Sequence, residues 1–305
     1  MKVCIIGSYA KALVMTADRI PLAGETLVGY DYRETYGGKG SDMAVQAARL
    51  GAEVSYIGVV GDDNFGQEFL SLMKEEGIKT KGIRVTKERP TGVGFIVKDK
   101  KARNVIVVDK GANELFSRED IDSNMDLIAA SDVILAQLEI PLDTALYAMK
   151  KGRELGKTTI LNPAPAVDLT AYRLADVDII TPNETEARVV VGKTPDVDYT
   201  NEQIAEVLFG TGCPCVVMTL GKDGVGIFKD GSSRYIEPFD VEVVDSNGAG
   251  DCFNASLACG LADGKSLEDA AQYANVVAGL CCTKWETVPS YHTAKQVAEV
   301  LKSRA

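Results

Sequence analysis

The chain has 305 residues, 46% of them hydrophobic and 25% charged, which suits a globular protein long enough for one large α/β domain. Its 33 basic and 44 acidic residues leave a net charge of −11, which argues against nucleic acid or an anionic membrane surface as a partner; an anionic substrate would have to be held by local donors. Seven cysteines without a pair at zinc spacing, and the single histidine His292, argue against a thiolate or imidazole zinc site and against a Ser-His or Cys-His engine, so acid–base work falls to Asp, Glu, Lys or Tyr.

Met1-Lys2-Val3-Cys4-Ile5-Ile6-Gly7 runs directly into a buried-strand pattern with no secretory leader, and no apolar run approaches the roughly 20 residues of a membrane span, so a cytoplasmic protein is expected. Residues 9–36 lack helical period and carry Pro21, Gly24 and Gly29, which predicts short strands and turns. Gly37-Gly38-Lys39-Gly40 precedes a small-residue helix over 44–51, followed by a buried strand at 54–59, a turn at 61–66 and a helix at 69–77. Residues 91–97 and 104–108 flank the charged turn Lys98-Asp99-Lys100-Lys101 as a hairpin. Beyond residue 110, strands near 133–138, 158–161, 177–181 and 215–220 alternate with helices near 144–155, 185–190 and 201–209, the rhythm of parallel βαβ units. A second hairpin over 225–229 and 233–236 follows, and helices at 267–282 and 293–302 close the chain. The expected architecture is α/β: a doubly wound, mostly parallel sheet with helices on both faces, a single domain over 1–305, with a small β-rich flap from the early strands.

The chemistry concentrates in Val243-Val244-Asp245-Ser246-Asn247-Gly248-Ala249-Gly250-Asp251. Two valines read as the end of a buried strand, and a helix follows the glycines. Bare N–H groups at such a helix start attract an anion. A carboxylate at Asp251 conflicts with that, unless Asp251 is a base and the anion is the group being transferred; an ordinary first-turn aspartate is the alternative. Gly260-Leu261-Ala262-Asp263-Gly264-Lys265-Ser266 falls one residue short of a phosphate-cradling loop and reads better as a helix cap at Ser266. Asn183-Glu184-Thr185-Glu186 reads either as a capped helix start or as a pair, Asn183 and Glu186, that orients water around Mg²⁺. Thr219-Leu220-Gly221-Lys222-Asp223-Gly224 is either a nucleotide-phosphate turn or a plain hairpin entry.

In combination these segments resemble the ribokinase-like, or PfkB, carbohydrate kinases from end to end. The N-terminal signature stands as Gly37-Gly38-Lys39-Gly40-Ser41-Asp42-Met43-Ala44 with Ala47-Ala48-Arg49-Leu50-Gly51, and the C-terminal one as Asp245-Ser246-Asn247-Gly248-Ala249-Gly250-Asp251. Between them lie Gly111-Ala112-Asn113, Gln137-Leu138-Glu139, Asn162-Pro163-Ala164-Pro165 and Thr181-Pro182-Asn183-Glu184-Thr185-Glu186. The resemblance implies transfer of the γ-phosphoryl of ATP to a sugar hydroxyl, with Asp251 as base and the N–H groups of Gly248, Ala249 and Gly250 as anion hole. It implies that Gly38, Lys39, Asp42 and Glu139 face the sugar. ATP would lie along Asn183, Thr219, Leu220, Gly221, Lys222, Asp223, Gly224, Gly250 and Asn275, with Mg²⁺ held through water by Asn183 and Glu186. A monovalent cation, K⁺, would sit among Asp245, Asn247, Cys281, Lys284, Glu286 and Ser290. Segments of about 10–36 and 90–109 would form a β-lid that pairs with another subunit, giving a homodimer.

Three positions depart from the ribokinase pattern. Ala10 and Ala12 stand where that pattern has Asn and Asp contacting ribose, and Asp42 stands where it has Asn. Each lost hydroxyl-reading group costs on the order of 1–3 kcal/mol, so a larger or differently oriented sugar, polyol or nucleoside is expected as acceptor, reached by Lys11 or Tyr9. Two alternatives follow: a nucleoside kinase of the same superfamily with Tyr9 as platform for the base, or a catalytically silent sugar-binding regulator.

Overall fold

In the computed structural model, which describes residues 1–101 and 103–304, the chain opens with β1 (Lys2–Ile6), β2 (Ala10–Ala17), β3 (Tyr30–Gly37), α1 (Lys39–Arg49), β4 (Glu53–Gly61) and α2 (Asn64–Glu75). Then come β5 (Lys79–Thr86), β6 (Gly92–Asp99), β7 (Asn104–Asp109), α3 (Arg118–Asp122), α4 (Met125–Ala129), β8 (Val133–Gln137), α5 (Leu142–Glu154), β9 (Thr158–Asn162) and β10 (Ile179–Ile180). The chain ends with α6 (Glu184–Val190), α7 (Asn201–Gly210), β11 (Cys215–Thr219), β12 (Val225–Lys229), β13 (Ser232–Ile236), α8 (Ala249–Ala262), α9 (Leu267–Cys281) and α10 (Ala294–Arg304).

Val3, Cys4, Ile5 and Ile6 of β1 are all fully buried, the mark of a strand covered on both faces. Their side chains alternate: Val3 and Ile5 pack with residues of α1, α8 and α9, whereas Cys4 and Ile6 pack on the other side with residues of α5, α6 and α7. One large sheet results, in the order β13-β12-β11-β10-β9-β8-β1-β4-β5. It is parallel from β11 to β5 and antiparallel only at the β11–β12–β13 edge. The winding reverses at β1, which has β4 on one side and β8 on the other. In such sheets the crevice beyond the carboxyl ends at the reversal takes ligands. Ser8 follows β1 there and Glu139 follows β8. A second sheet, in the order β3-β2-β6-β7, is formed by the two early segments expected to carry the flap.

Several local expectations are corrected. Residues 237–244 form no strand; Val243 and Val244 are 62% and 39% exposed. The large sheet already ends at β13, and Val244 N–H instead donates to Cys282 O at 2.8 Å. Helix α1 begins at Lys39 rather than near residue 44, because Gly38 caps it with φ 91°. Helix α2 begins at Asn64, five residues before the apolar period is visible, because Asp63 accepts from Gly66 N at 2.9 Å and starts it. The strand expected near 177–181 shrinks to Ile179 and Ile180. The mixed, largely polar strand β5 and the single-turn helices α3 and α4 carry no period long enough to read. Ser266 is a cap, its Oγ accepting from Asp269 N at 3.1 Å, and Gly260 lies inside α8.

Candidate functional site

The site grows from two helix starts that face each other. Gly38 lies at φ 91°, and a Cβ there would sit 2.8 Å from Ala10 N and Tyr9 Cα, so only glycine lets α1 start against the end of β1. This contact brings Lys39 to the carboxyl ends of β1 and β8. The Lys39 backbone N–H donates to Glu139 Oε2 at 2.8 Å, Ser8 Oγ donates to the same oxygen at 2.5 Å, and Gln137 Nε2 donates to Ser8 Oγ at 2.7 Å. Ser8 and Gln137 were given no role by the sequence; only their position at strand ends hinted at one.

The second start is α8. Gly248 caps it in the left-handed region at φ 78°, and a Cβ there would meet Tyr291 Oη at 2.8 Å and Thr287 at 3.0 Å. The first intrahelical bond runs from Cys252 N to Gly248 O, so the N–H groups of Gly250 and Asp251 precede the ladder and point out of the helix end. Asp251 is buried in the first turn. Its Oδ1 makes no hydrogen bond and lies 3.6 Å from Lys39 Nζ, within ion-pair reach but beyond a hydrogen bond. Burial pushes its pKa up to about 6; Lys39 pulls the other way, and Glu139 and Glu186 add to the rise. Asp251 in turn raises the pKa of Lys39, which stays a cation. Asp42, in the first turn of α1, is also buried with Oδ1 unpartnered, and burial followed by the charges of Asp251 and Glu139 pushes its pKa well up. A near-neutral carboxylate beside bare helix N–H groups and a lysine can accept a proton while anionic charge is held next to it.

Two cavities flank the start of α8. One, of about 710 Å³, is lined by Asn183, Thr219, Gly221, Lys222, Gly224, Gly250 and Asn275 among others, with an apolar wall that includes Val225, Phe239, Val241 and Val243. Leu220 and Asp223 lie outside that lining, Leu220 in the core and Asp223 on the surface. The volume falls within the 300–1,000 Å³ or so of ligand pockets, and the apolar wall beside a helix N-terminus suits a planar base with a phosphate tail. The other cavity, of about 620 Å³, lies between the second sheet and the 243–248 and 285–287 segments, and includes Ala12, Thr35, Tyr36, Gly248 and Thr287 in its wall.

Asn183 caps α6, accepting from Glu186 N at 2.8 Å while its own N–H donates to Glu186 Oε2 at 2.9 Å. These oxygens are already engaged, so the pair fits a metal's waters better than the metal itself. Behind the start of α8, Asp245 Oδ1 and Oδ2 accept from Asn247 N and Glu286 N, both at 3.0 Å. Cys281 Sγ lies 3.1 Å from Ser290 Oγ and 3.8 Å from Asn247 O, and Lys284 N–H donates to Cys281 O. The residues expected around a cation thus come together, an oxygen-rich set of carboxylate, carbonyl and hydroxyl.

Tyr9 and Lys11, expected to reach the acceptor, do not line the 620 Å³ cavity. Tyr9 is 1% exposed and stacked on Phe69 with centroids 4.3 Å apart, so it offers no platform to a base. Lys11 points to the opposite face of β2 from Ala12, where Glu68 holds its Nζ at 2.5 Å and Glu34 at 3.2 Å.

Comparisons with known proteins place the family and the fold. The model of the pfkB family carbohydrate kinases matches residues 1–294. A ribokinase from Haemophilus influenzae is 36% identical over 98% of this chain and 97% of its own length. A deoxyribokinase from Salmonella typhimurium is 31% identical over 99% of each. The solved structure of an Arabidopsis thaliana ribokinase complexed with ribose and ATP superposes with a TM-score of 0.88 at 26% identity, covering 99% of this chain and 98% of that one. With its sheet order, the two facing helix starts and an end-to-end family match, the chain belongs to the pfkB family of carbohydrate kinases and is a sugar kinase.

Proposed function

We propose that the enzyme moves the γ-phosphoryl group of ATP from the 710 Å³ cavity, past the start of α8, to a hydroxyl in the 620 Å³ cavity. The observation that carries this reading is the position of α8, whose N-terminus separates the two cavities and presents a buried Asp251 with a free oxygen. Asp251 takes the proton of the acceptor hydroxyl. That oxygen bonds to the γ-phosphorus, the bond to the β-phosphate bridge breaks, and ADP leaves. The N–H groups of Gly248, Gly250 and Asp251 hold the charge on the transferring group, whereas the Ala249 N–H, also expected there, donates to Ser246 O at 3.3 Å; Lys39 adds a cation on the acceptor side. Asn183, Thr219, Gly221, Lys222, Gly224 and Asn275 take the nucleotide. Asn183 and Glu186 would hold the waters of a bound Mg²⁺, which would supply neutralising charge to the phosphates. Asp245, Asn247, Cys281, Lys284, Glu286 and Ser290 would hold a K⁺, which would supply positive charge behind the start of α8.

Gly38, Lys39, Asp42 and Glu139 face the sugar in this reading, although neither they nor Asp251 are among the residues that line the 620 Å³ cavity. Ala12 lines the acceptor cavity, and Ala10 shares its face of β2. Two methyls replace two hydroxyl readers, so ribose is not the preferred acceptor. The second sheet acts as a lid. The outer face that carries Met15, Phe95, Val105 and Val107 is exposed and apolar, a surface for a second copy of the chain. The test is a coupled ADP-release assay over pentoses, 2-deoxypentoses, hexoses, polyols and nucleosides with Mg²⁺, with and without K⁺. ATP-dependent turnover with one group of acceptors, weaker for ribose, is expected; ribose as the best acceptor overturns the substrate reading, and turnover with none overturns the kinase reading.

A further inference from the structure

The first turn of α8 is held from behind by a chain of buried amides and one hydroxyl. Asn254, a turn further into the helix, reaches back, and its Nδ2 donates to Gly250 O at 2.8 Å. Thr181, just beyond β10, donates its hydroxyl hydrogen to Asn254 Oδ1 at 2.5 Å. Asn162, the last residue of β9, donates from Nδ2 to Thr181 O at 2.8 Å. All three side chains are buried, so water does not compete for these bonds. The amide of Asn254 has one orientation that satisfies them. Gly250 O can only accept, so the amide nitrogen faces it and the amide oxygen is left to the Thr181 hydroxyl.

Gly250 O belongs to the same peptide group as the N–H of Asp251, one of the donors that face the transferring phosphoryl group in the proposed reaction. In the helix ladder this carbonyl already accepts from the N–H four residues on. The Asn254 amide gives it a second bond. Two donors on the oxygen polarise the peptide, make the N–H at its other end a stronger donor and fix the tilt of its plane. An apolar side chain of the same size would fill the space and do neither. We propose that Asn254 is a positioning residue for phosphoryl transfer: with Thr181 and Asn162 it ties the Gly250–Asp251 peptide to the carboxyl ends of β9 and β10, and so aims and strengthens the Asp251 N–H. The proposal rests on the kinase reading above and deepens it. The same strand end carries Asn183, the cap of α6 on the nucleotide side, so one short segment supports both sides of the phosphoryl path.

The anion hole can be read without turnover. ADP with Mg²⁺ and aluminium fluoride, a mimic of the transferring group, should bind the parent chain at least about tenfold more tightly than ADP with Mg²⁺ alone, followed by calorimetry. Asn254→Leu should lose most of that gain, with affinity for ADP alone within about threefold. In the coupled assay with the best acceptor, Asn254→Leu should lower kcat about 10- to 100-fold, with both KM values within about threefold. Thr181→Val leaves the amide in place but free to turn; it should lower kcat less, and should add nothing in the Asn254→Leu background. Asn254→Asp should recover turnover toward low pH, where a protonated carboxyl donates to Gly250 O as the amide does, so its kcat relative to the parent falls as pH rises. Thermal unfolding of each variant isolates a merely structural role: a lower melting temperature with unchanged kcat and an unchanged fluoride gain overturns the proposal and leaves the kinase reading standing. Should Asn254→Leu not fold, Thr181→Val decides by whether its fluoride gain falls. No fluoride gain in the parent overturns the anion hole and the proposal together. A gain that Asn254→Leu loses, with no turnover for any acceptor, upholds the positioning role and overturns the kinase reading.

Discussion

In the proposed reaction, Asp251 is the residue on which the chemistry turns. Its carboxylate sits in a helix start that favours anions, yet burial lifts its pKa to about 6, so near neutrality it is mostly ionised and still basic enough to accept a proton. Asp251→Asn should lower kcat by about 10²–10⁴ while ATP binding, followed by calorimetry, stays within a few fold. The kcat/KM profile should rise with pH through about 6 and level off above it, because the unprotonated base is the active form. Asp42 looked from sequence like a lost amide. In the structure, burial first and then Asp251 and Glu139 favour its protonated form, and a neutral carboxylic acid donates a hydrogen bond as an amide does. Asp42→Asn should therefore keep turnover within about threefold at pH 6 and exceed the parent at pH 8. The sign on stability follows from the raised pKa: the folded state holds this proton more tightly than the unfolded chain, whose value is near 3.8, so the contribution is present below that pH and fades as pH rises. The stability difference between Asp42→Asn and the parent should thus shift in favour of the variant from pH 4 to pH 8, measured by urea titration at each pH.

At the scale of elements, single polar contacts decide where helices start and which surfaces meet. Asp63 caps α2 and also accepts from Thr91 N and Thr91 Oγ1, both at 2.7 Å, which ties α2 to the start of β6 and so to the second sheet. Burial alone would raise the Asp63 pKa, but these hydrogen bonds pull it below its ordinary value. Asp63→Ala should cost about 1–2 kcal/mol in urea unfolding at neutral pH, and the difference should shrink as the solution is acidified and the carboxylate loses its charge. The same logic explains the errors of the sequence reading at element ends. A cap is one side chain, and its effect reaches further than the apolar period that betrays the helix. Residues 243–244 illustrate the converse: two valines suggest a strand, but a strand needs a neighbour with free backbone groups, and the edge of the sheet is already taken by β13.

For the whole molecule, the second sheet is the part with an unsettled surface. Its inner face closes the acceptor cavity, and its outer face leaves Phe95 and Val107 exposed as a cross-strand pair. Monomers rarely leave a contiguous apolar sheet face open to water. A homodimer is expected by analytical ultracentrifugation at micromolar concentration, and Phe95→Glu should shift it to monomer by placing charge at the centre of that face; a parent chain that sediments as a monomer throughout overturns the pairing.

The sequence by itself determined the α/β architecture, the parallel run of strands and the order of the family motifs, because these rest on local periodicity and on residue types at short spacing. Of the residues it assigned to the nucleotide, Asn183, Thr219, Gly221, Lys222, Gly224, Gly250 and Asn275 line one cavity in the structure. Only the tertiary structure decided which of two readings a residue took. Tyr9 and Trp285 are both aromatic in sequence, but packing sends one into the core against Phe69 and the other into a cavity wall. Lys11 and Lys39 are both lysines near the acceptor, but strand alternation turns one to Glu68 and a left-handed Gly38 turns the other to Asp251. Burial and the charge of distant segments raised the pKa values of Asp42 and Asp251, and neither is a property of neighbours in the chain. The physical reason is common to all of these cases: period and propensity are set within a few residues, whereas exposure, pairing and proton affinity depend on contacts made across a hundred residues or more.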